Sequence, residues 1–397
     1  MKKLAQLLLM TGLIISGISC TKSTSDDTPI IVGGSQEFRI FLTNQSGTYP
    51  DDSIFFSVMG EDQSGNVCWI DSTGELVKVK KADNTHNGYC NYFHPLSAMK
   101  YVSFTYLNGA RIRFSIGKPI SMKITSENPH AGFTDPDVNN VNDPNASLIY
   151  DKVEFSYVNS NLYLNTTLVD YFGIPMSISS VVNGDTIVMG MNASRKEIFS
   201  RFKDEAPADF QKLVQGNYRI VAPQKLLAFN QNYLDNYINT VWTKYTTDSL
   251  IITGSNPSLW RAAGIVVGGV MQFKFTSTTF HNETVSISKP STVNVFGCDG
   301  NGSLKTDGSH PMSHQKLVPI FAAALNRTIL NGYDCTNGCD TSSFYKTATT
   351  NWFSRIFHKC SLKNKCYGFP YDDVCDQSTL NPGGKVPNLE IIITKFE

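Results

Sequence analysis

Short runs of β-branched and aromatic residues, each bounded by Gly, Asn, Asp or Pro, recur from Glu37 to about residue 190. Runs of this length and composition are typical of β-strands joined by polar turns. The pattern therefore predicts a mainly β fold, unlike that of a helical enzyme. The clearest runs are residues 38–42, 101–106, 111–116 and 152–157.

Helical periodicity appears after about residue 190, where apolar residues recur at the spacing of one helix face. The predicted helices cover residues 194–214 (interrupted at Pro207), 230–245, 313–330 and 347–357. The predicted strands of this half cover residues 269–275, 292–296 and 389–394.

The change of pattern predicts two domains. Residues 37–189 together with 363–397 form a β domain, and residues 190–362 form a mixed α/β domain inserted into it. Within the β domain, residues 129–145 are polar, contain three prolines and show no periodicity, so we expect a surface loop there.

The composition limits the class of partner. The chain has 34 basic and 34 acidic residues, so no net charge attracts it to nucleic acid or to an anionic membrane. Hydrophobic residues make up 41% of the chain, which is enough to bury a sizeable core and excludes wholesale disorder.

The N-terminus carries an export signal. Lys2 and Lys3 precede an apolar run, residues 4–19, which is shorter than the roughly 20 residues that span a bilayer. The run ends at Cys20 and polar residues follow, which is similar to a bacterial lipoprotein signal, although Gly17 stands where such signals usually have Leu. We expect residues 1–20 to be this signal, with Cys20 lipidated, and residues 21–36 to be a polar tether. The alternative is an ordinary signal peptide cleaved near Ser19.

The chain has nine cysteines, and eight remain when Cys20 is set aside. An even number in an exported chain predicts up to four disulfides, whose pairing the sequence leaves open. The competing interpretation is a zinc site, because Cys335 and Cys339 lie close together and His358 stands near Cys360. No second well-spaced pair completes four ligands, so disulfides are favoured.

One predicted hairpin carries chemistry. Its first strand, residues 150–157, turns its apolar side chains to the core and Glu154 and Ser156 outward. A turn at residues 158–161 places Glu154 opposite Asn165 and Ser156 opposite Tyr163. A carboxylate, an amide, hydroxyls and an aromatic ring would share one face, as on many sugar-binding surfaces.

Asp170 lies beyond the paired part of this hairpin. In a straight strand it would be too far from Glu154 to cooperate, but Gly173 and Pro175 allow a bend that returns it. Taken alone, an outward Glu on a sheet is usually a solvated charge.

The chain from residue 37 to 397 resembles the thaumatin-like superfamily, and within it the laminaripentaose-producing β-1,3-glucanases of glycoside hydrolase family 64. The resemblance rests on motifs that follow one another in the family's order. They are residues 154–155, 168–170, 174–176, 218–223, 233–245 with Trp242, 298–300, 323–327 and 367–374. It implies a β-barrel or sandwich domain and a mixed α/β domain, with a wide groove for β-1,3-glucan between them.

The resemblance also implies roles for residues. Glu154 matches the general acid and Asp170 the general base of an inverting hydrolysis, and the acid should lie in a drier or more negative place than the base. Ser156, Tyr163 and Thr167 match groove-lining positions, as does Asn165, which replaces an acidic residue of many plant relatives. The resemblance also implies that Asp372 and Asp373 face the groove, because the family's C-terminal strand runs near it, although paired acids in a turn are more often solvated.

The sequence thus predicts an exported, endo-acting β-1,3-glucanase, lipid-anchored at the bacterial cell surface or outer membrane. We expect a monomer with no cofactor, no metal and no nucleic-acid partner, touching the membrane only through its anchor. The alternative is a non-catalytic β-glucan-binding surface protein, and a weaker one is an inhibitor that binds a protein through the same groove. The Glu154–Asp170 pair favours the enzyme.

Overall fold

The computed structural model describes residues 37–182, 185–254, 256–279, 282–298, 304–331, 339–378 and 388–397. The predicted export signal, the tether, Cys20 and Cys335 lie outside the described residues.

The strands of the described part are mostly short, as the turn-bounded runs predict. In chain order they are β1 Phe38–Asn44, β2 Ile54–Glu61, β3 Val67–Ile70, β4 Leu76–Lys78, β5 His94–Pro95, β6 Tyr101–Phe104, β7 Leu107–Ile116, β8 Ile149–Val158, β9 Asn161–Asn165, β10 Tyr171–Phe172, β11 Met176–Val182, β12 Asp185–Gly190, β13 Val214–Gln215, β14 Arg219–Val221, β15 Leu250–Thr253, β16 Trp260–Val267, β17 Val270–Ser277, β18 Glu283–Ser288 and β19 Asn388–Ile393.

The helices of the described part all follow β12, apart from short 3₁₀ turns. They are α1 Arg195–Asp204, α2 Ala208–Gln211, α3 Asp235–Lys244, α4 Thr292–Gly297, α5 Pro311–Asn326 and α6 Trp352–Cys360. The 3₁₀ turns are Asp51–Ser53, Lys81–Asp83, Thr341–Ser343 and Leu362–Asn364. Among these residues, no helix combines the length and apolarity that crossing a membrane requires.

Two sheets face each other as a sandwich. One has the strand order β12-β11-β19-β1-β6, and the other β4-β3-β2-β7-β8-β9 with β5 beside β2. Their inner faces share one apolar core, in which Phe38 stacks on Tyr157 and Phe104 on Phe155. The predicted mainly β, thaumatin-like architecture is confirmed in its sandwich form.

A second apolar core joins the helices to two further sheets, β15-β16-β17-β18 and β10-β14-β13. Leu168 and Phe172, on either side of Asp170, belong to this second core, whereas Val153 and Phe155, on either side of Glu154, belong to the sandwich core. The two acids therefore lie where the two cores meet.

The helices predicted from periodicity are confirmed, with α1 and α2 separated at Pro207 as expected. The prediction of a strand at residues 292–296 is wrong, because this segment is α4. The Ser291 hydroxyl accepts a hydrogen bond from Asn294 N and the Asn294 side chain accepts one from Ser291 N, a capping box that favours helix over the β-branched propensity.

The described cysteines form fewer disulfides than the maximum of four that their number allows. The described residues contain one disulfide, Cys339–Cys375, and five buried free thiols: Cys68, Cys90, Cys298, Cys360 and Cys366. Free Cys packs as a small apolar residue with a weak S–H donor, which satisfies a buried site without a bridge. The Cys298 thiol, for example, donates to Pro370 O at 2.9 Å.

Candidate active site

The outward face of the β8–β9 hairpin carries the residues singled out by the sequence. Glu154 pairs with Asn165 and Ser156 with Tyr163, so the predicted register is confirmed. The chain reverses at Asn159 and Ser160, whose φ angles of 52° and 60° are positive, as a type I′ hairpin turn requires.

Lys152 connects the two predicted catalytic acids. It precedes Glu154 by two residues and shares its face of β8. Its Nζ lies 3.2 Å from Glu154 Oε1 and donates a hydrogen bond to Asp170 Oδ2. The Lys152 side chain is 9% exposed, against 28% for Glu154 and 25% for Asp170. One buried ammonium therefore brings together two carboxylates that lie sixteen residues apart in the chain.

A bend after β9 returns Asp170 to the hairpin. The strand ends at Asn165, and β10 pairs instead with β14. Gly173 lies so close to β8 that an added Cβ would stand 2.1 Å from Tyr150 O, so only glycine fits there. Asp170 does return to the hairpin, as the sequence allows, but the chain leaves β9 at Asn165, before Asp170, and Gly173 lies in the segment after Asp170 that packs against β8.

Charges from β7 and from the 129–145 loop surround Glu154. Arg111 lies opposite Glu154 in the ladder, and its Nε donates to Glu154 Oε1 at 3.0 Å. Arg113 donates to Asp135 Oδ1 at 2.8 Å, and an Arg111 nitrogen lies 3.7 Å from Asp135 Oδ2. The loop thus contributes one carboxylate to the charged network beside Glu154.

Lys225 approaches Asp170 from the loop that follows β14. Its Nζ lies 2.8 Å from Asp170 Oδ1, so each carboxylate oxygen of Asp170 contacts a lysine. Asn139 fixes this loop, because its side chain donates to Lys225 O at 2.9 Å and accepts from Leu227 N at 2.9 Å.

The charges set the pKa values of the two acids. Burial alone would raise both, but Lys152 and Arg111 lower the pKa of Glu154 below its usual value despite the repulsion from Asp170. Lys152 and Lys225 lower the pKa of Asp170 further still. The expectation that Glu154 stays protonated near neutral pH is therefore wrong for the ligand-free protein. Glu154 is also no less exposed to water than Asp170, so it does not lie in the drier place that was expected. Of the two acids, however, Glu154 has the pKa that is lowered less.

The flanking hairpin residues form a mixed polar surface. Ser156 Oγ accepts from Gly109 N at 2.9 Å and donates to Asn108 Oδ1 at 3.2 Å. Tyr163, opposite Ser156, is half-buried. Asn165 is 5% exposed, and its Oδ1 is buried without a hydrogen-bond donor from the described residues.

Two of the residues predicted to line the groove are placed differently. Thr167 is 2% exposed and its hydroxyl accepts from Val169 N, so it stabilises the bend rather than facing a ligand. Asp372 is fully buried, 3.1 Å from an Arg327 nitrogen, and the expectation that it faces the groove is wrong. Asp373, the next residue, is half-buried, and its burial, together with the charge of Asp372, raises its pKa.

The interior around Asp372 is an ion cluster. His358 Nε2 lies 3.0 Å from Asp372 Oδ2 and Nδ1 lies 2.6 Å from Asn364 O. Both partners are hydrogen-bond acceptors, and against burial Cys366 and Asp372 raise the pKa of His358 well above its usual value, which favours the charged ring. His358, Cys366 and Asp372 place their potential ligand atoms within 4.8 Å of one another. Zinc needs a ring nitrogen with a free lone pair, which a charged imidazole does not offer.

The sequence reasoning missed Lys152, Arg111, Asp135 and Lys225. The period of two along β8 places Lys152 on the face of Glu154, a signal that was present in the pattern. Lys225 and Asp135 lie in loops, and no spacing in the sequence connects them to the hairpin.

Sandwich-type sheets with a pair of carboxylates on a polar face form the kind of site that glycoside hydrolases use. The family model of glycoside hydrolase family 64, described as β-1,3-glucanase, matches residues 36–393. The chain belongs to this family.

Solved structures of this family share the fold. A β-1,3-glucanase domain from Clostridium beijerinckii is 28% identical, with a TM-score of 0.79, over 91% of this chain and 99% of that one. A laminaripentaose-producing β-1,3-glucanase, solved in complex with laminaritetraose, is 25% identical, with a TM-score of 0.76 and the same coverage.

Curated relatives are longer than this chain. The glucan endo-1,3-β-glucosidases of Cellulosimicrobium cellulans and of Arthrobacter sp. (strain YCWD3) are each 24% identical over 372 residues, which is 89% of this chain. The chain spans 64% of the length of each.

Proposed function

We propose that this protein is an endo-acting β-1,3-glucanase that hydrolyses its substrate with inversion, with Glu154 as the general acid and Asp170 as the general base. The observation that carries the proposal is the contact of both carboxylates with the single buried ammonium of Lys152. Membership of glycoside hydrolase family 64, and the laminaritetraose bound to a relative, support the substrate class.

General acid catalysis requires a proton on Glu154, which is ionised in the ligand-free protein. A glucan chain that fills the groove removes water from Glu154, and this desolvation disfavours the charged form and raises its pKa. Asp170 keeps its charge, because Lys152 and Lys225 contact both of its oxygens. The two acids then hold the protonation states that acid and base catalysis require.

Inversion also requires room for a water molecule, roughly 6.5–9.5 Å between the carboxyl groups. In the ligand-free protein Glu154 Oε1 and Asp170 Oδ2 share one ammonium, so these two oxygens lie closer together than that range. Protonation of Glu154 removes its attraction to Lys152 and frees the side chain to turn toward the glycosidic oxygen, which widens the gap. Because retaining enzymes use about 5–5.5 Å, the product anomer is the decisive measurement.

Tyr163 and Ser156 suit the same substrate. An aromatic ring on the hairpin face can stack on a pyranose ring, and the hydroxyl beside it can exchange hydrogen bonds with sugar hydroxyls. A neutral polysaccharide needs no charge attraction, which agrees with the zero net charge of the chain.

The test incubates the mature protein with laminarin and with curdlan, and follows new reducing ends by proton NMR. Wild type should release α-configured ends first, since inversion of a β-linkage gives the α anomer. Glu154→Gln and Asp170→Asn should each lose at least about a hundredfold in kcat, at the lower end of the range for acid–base groups. Glu75→Gln, an exposed acid in a turn, serves as the control and should match wild type.

Early β-configured product would contradict inversion, and full activity in Glu154→Gln would contradict the assigned acid. Wild type that binds curdlan in a pull-down but releases no sugar would instead support the non-catalytic binding protein.

We also propose that the protein is exported and anchored by a lipid on Cys20, on the strength of Lys2, Lys3, the apolar run 4–19 and the polar residues after Cys20. Expression in a bacterial host followed by membrane fractionation tests this. Wild type should sediment with membranes and carry an acylated Cys20 by mass spectrometry, whereas Cys20→Ala should not. Soluble, unmodified wild type cleaved near Ser19 would overturn the anchor.

A further inference from the structure

A fully buried acid lies beneath the two carboxylates of the site. Asp151 is 1% exposed and stands three residues before Glu154 on β8. Its carboxylate accepts three backbone hydrogen bonds, from Gly173 N at 2.8 Å, Ile174 N at 2.9 Å and Lys152 N at 2.8 Å. Two of these donors belong to the bend that follows Asp170.

The same bend is held from its other side. Arg195, at the start of α1, donates through Nε to Gly173 O at 2.7 Å, and through Nη2 to Asn217 O and Tyr218 O at 2.6 and 3.0 Å. Gly173 N and Gly173 O are therefore each bound by a buried side chain, that of Asp151, whose pKa burial raises to about 7, and that of Arg195. Tyr150 O fills the space where a Cβ of residue 173 would stand, so the bend is pressed directly against β8.

This arrangement determines where Asp170 lies. The hydrogen bonds of strand β8 fix the position of Glu154. Asp170, in contrast, lies outside any strand, between Leu168 of the second core and β10. Asp170 O accepts from Ala222 N at 3.0 Å on the side of β14, and on the side of β8 the contact of Asp170 with Lys152 depends on how the following bend is fixed. Asp151 makes that connection from the same strand that carries Lys152 and Glu154.

We infer that Asp151 is a positioning residue for the proposed hydrolysis: together with Arg195 it clamps the Gly173 peptide group and thereby fixes Asp170 at its working distance from Glu154. This inference rests on the proposed function for its catalytic consequence, whereas the clamp itself can be measured without substrate. Asp151 touches no glucan and transfers no proton.

The test variant is Asp151→Asn, which keeps the size of the side chain but replaces one acceptor oxygen by a donor. Gly173 N and Ile174 N both donate to Oδ2, and Lys152 N donates to Oδ1. In either orientation of the amide its NH2 group faces a backbone N–H, of the bend or of Lys152, so donor meets donor and the bend shifts relative to β8. A displacement of about 1 Å at a reacting group costs about a hundredfold, so kcat on laminarin should fall by about 10- to 100-fold. KM should change by less than about threefold, because the groove contacts stay in place.

A substrate-free measurement separates positioning from a general loss of stability. The pKa of Asp170, followed by carbon-13 NMR of its carboxyl group, should be well below its usual value in wild type and should rise in Asp151→Asn. The groups that face Asp170 are Lys152, Lys225, Glu154, Arg111 and Tyr171. A shifted bend weakens the contacts with the two lysines and so raises this pKa. Loss of global stability alone would leave the pKa of the folded fraction unchanged.

The matched control is Asp62→Asn, in the turn after β2. Asp62 also accepts backbone hydrogen bonds, from Ser64 N and Asn66 N at 2.8 Å, but lies far along the chain from the bend. It should keep the wild-type kcat and the wild-type pKa of Asp170. If Asp151→Asn does not fold, Arg195→Lys replaces it, since it changes the other end of the same clamp and keeps the charge.

Wild-type values of kcat and of the Asp170 pKa in the folded clamp variant would overturn the inference. A wild type that releases no sugar from any β-1,3-glucan would overturn the proposed function instead, and the NMR measurement would still decide the clamp.

Discussion

Asn165 faces Glu154 across the hairpin, and its side-chain oxygen is buried without a donor from the described residues. An aspartate at this position would have the same size and would bring a second carboxylate next to the acid. A change of charge at the residue opposite Glu154 should therefore change the pKa of Glu154 directly.

We predict that Asn165→Asp moves the alkaline limb of the pH profile of kcat/KM to higher pH, by on the order of one unit. The reason is that a neighbouring negative charge raises the pKa of Glu154, and activity is lost as the pH rises through that value. The measurement is kcat/KM on a soluble laminarin oligosaccharide between about pH 4 and pH 10.

Asn161→Asp is the control, because Asn161 is exposed at the other end of β9. Its profile should coincide with that of wild type. A limb in Asn165→Asp that stays in place or moves to lower pH would show that Glu154 is not the group that must be protonated.

The residue scale also shows what the sequence could and could not predict. The pairing of Glu154 with Asn165 followed from alternation and from the position of the turn. The ionised state of Glu154 did not, because it depends on Arg111 from β7 and on the direction of the Lys152 side chain. Distances between side chains of different elements are properties of the packed molecule.

At the scale of elements, the β8–β9 hairpin depends on a two-residue turn, and one of the two residues does not favour the backbone conformation that the turn requires. Asn159 and Ser160 both have positive φ, and Asn tolerates this conformation far better than Ser does. Asn-Gly is the preferred pair for such a turn, so Ser160 makes the hairpin less stable than a glycine at the same position would.

We predict that Ser160→Gly raises the free energy of unfolding by about 0.5–1 kcal/mol, since glycine adopts the left-handed conformation without a steric cost. Urea unfolding monitored by circular dichroism measures the change. Activity should be unaffected, because the turn lies at the opposite end of β9 from Asn165.

Asn161→Gly provides the comparison within the same hairpin. Residue 161 has strand geometry, where glycine loses entropy on folding, so this variant should be less stable than wild type. Equal effects of the two substitutions would show that backbone conformation is not what limits the turn.

Elements with strong local signals agreed with the sequence, and α4 shows why others did not. Four of the five residues 292–296 are β-branched or aromatic, and so short a run is compatible with a strand or with a buried helix. The capping residues Ser291 and Asn294 decide for helix, and Thr292, Val295 and Phe296 are buried. The capping residues can be recognised in the sequence. The sequence does not show, however, whether the stabilisation from the capping box exceeds the preference of this segment for a strand.

At the scale of the whole molecule, the Asp372 cluster ties distant parts of the second core together. Arg327 follows α5, His358 belongs to α6, and Asp372 lies in the C-terminal stretch after Tyr367, whose carbonyl accepts from Leu168 N at 3.0 Å near the site. The motif containing Asp372 suggested a role in the groove, and only the packing of three elements around it shows a buried ion cluster.

The cluster should make stability depend on pH in a defined direction. Burial opposes the charge of His358, but Cys366 and Asp372 outweigh it and raise its pKa well above the usual value. The resulting stabilisation is complete below about pH 6.5, where the unfolded chain also protonates, and is lost as the pH rises through the folded-state value. The pKa of Asp372 is lowered by His358 and Arg327 against burial, so its contribution is complete above about pH 3.9 and is lost in acid.

We predict that Asp372→Asn lowers the free energy of unfolding at pH 6 by about 3–5 kcal/mol, because it leaves Arg327 and His358 charged in the interior without a counter-ion. Urea unfolding measures this. Asp376→Asn is the control, since Asp376 is on the same stretch but 87% exposed, and its substitution should leave stability unchanged.

Wild type should also lose stability as the pH rises from 7 to about 10. His358→Gln should be less stable at pH 6 but should lack the part of the alkaline loss that comes from this ring. An alkaline loss of the same size in wild type and His358→Gln would show that the imidazole is neutral in the folded protein, and Arg327 would then be the counter-ion of Asp372 within the cluster.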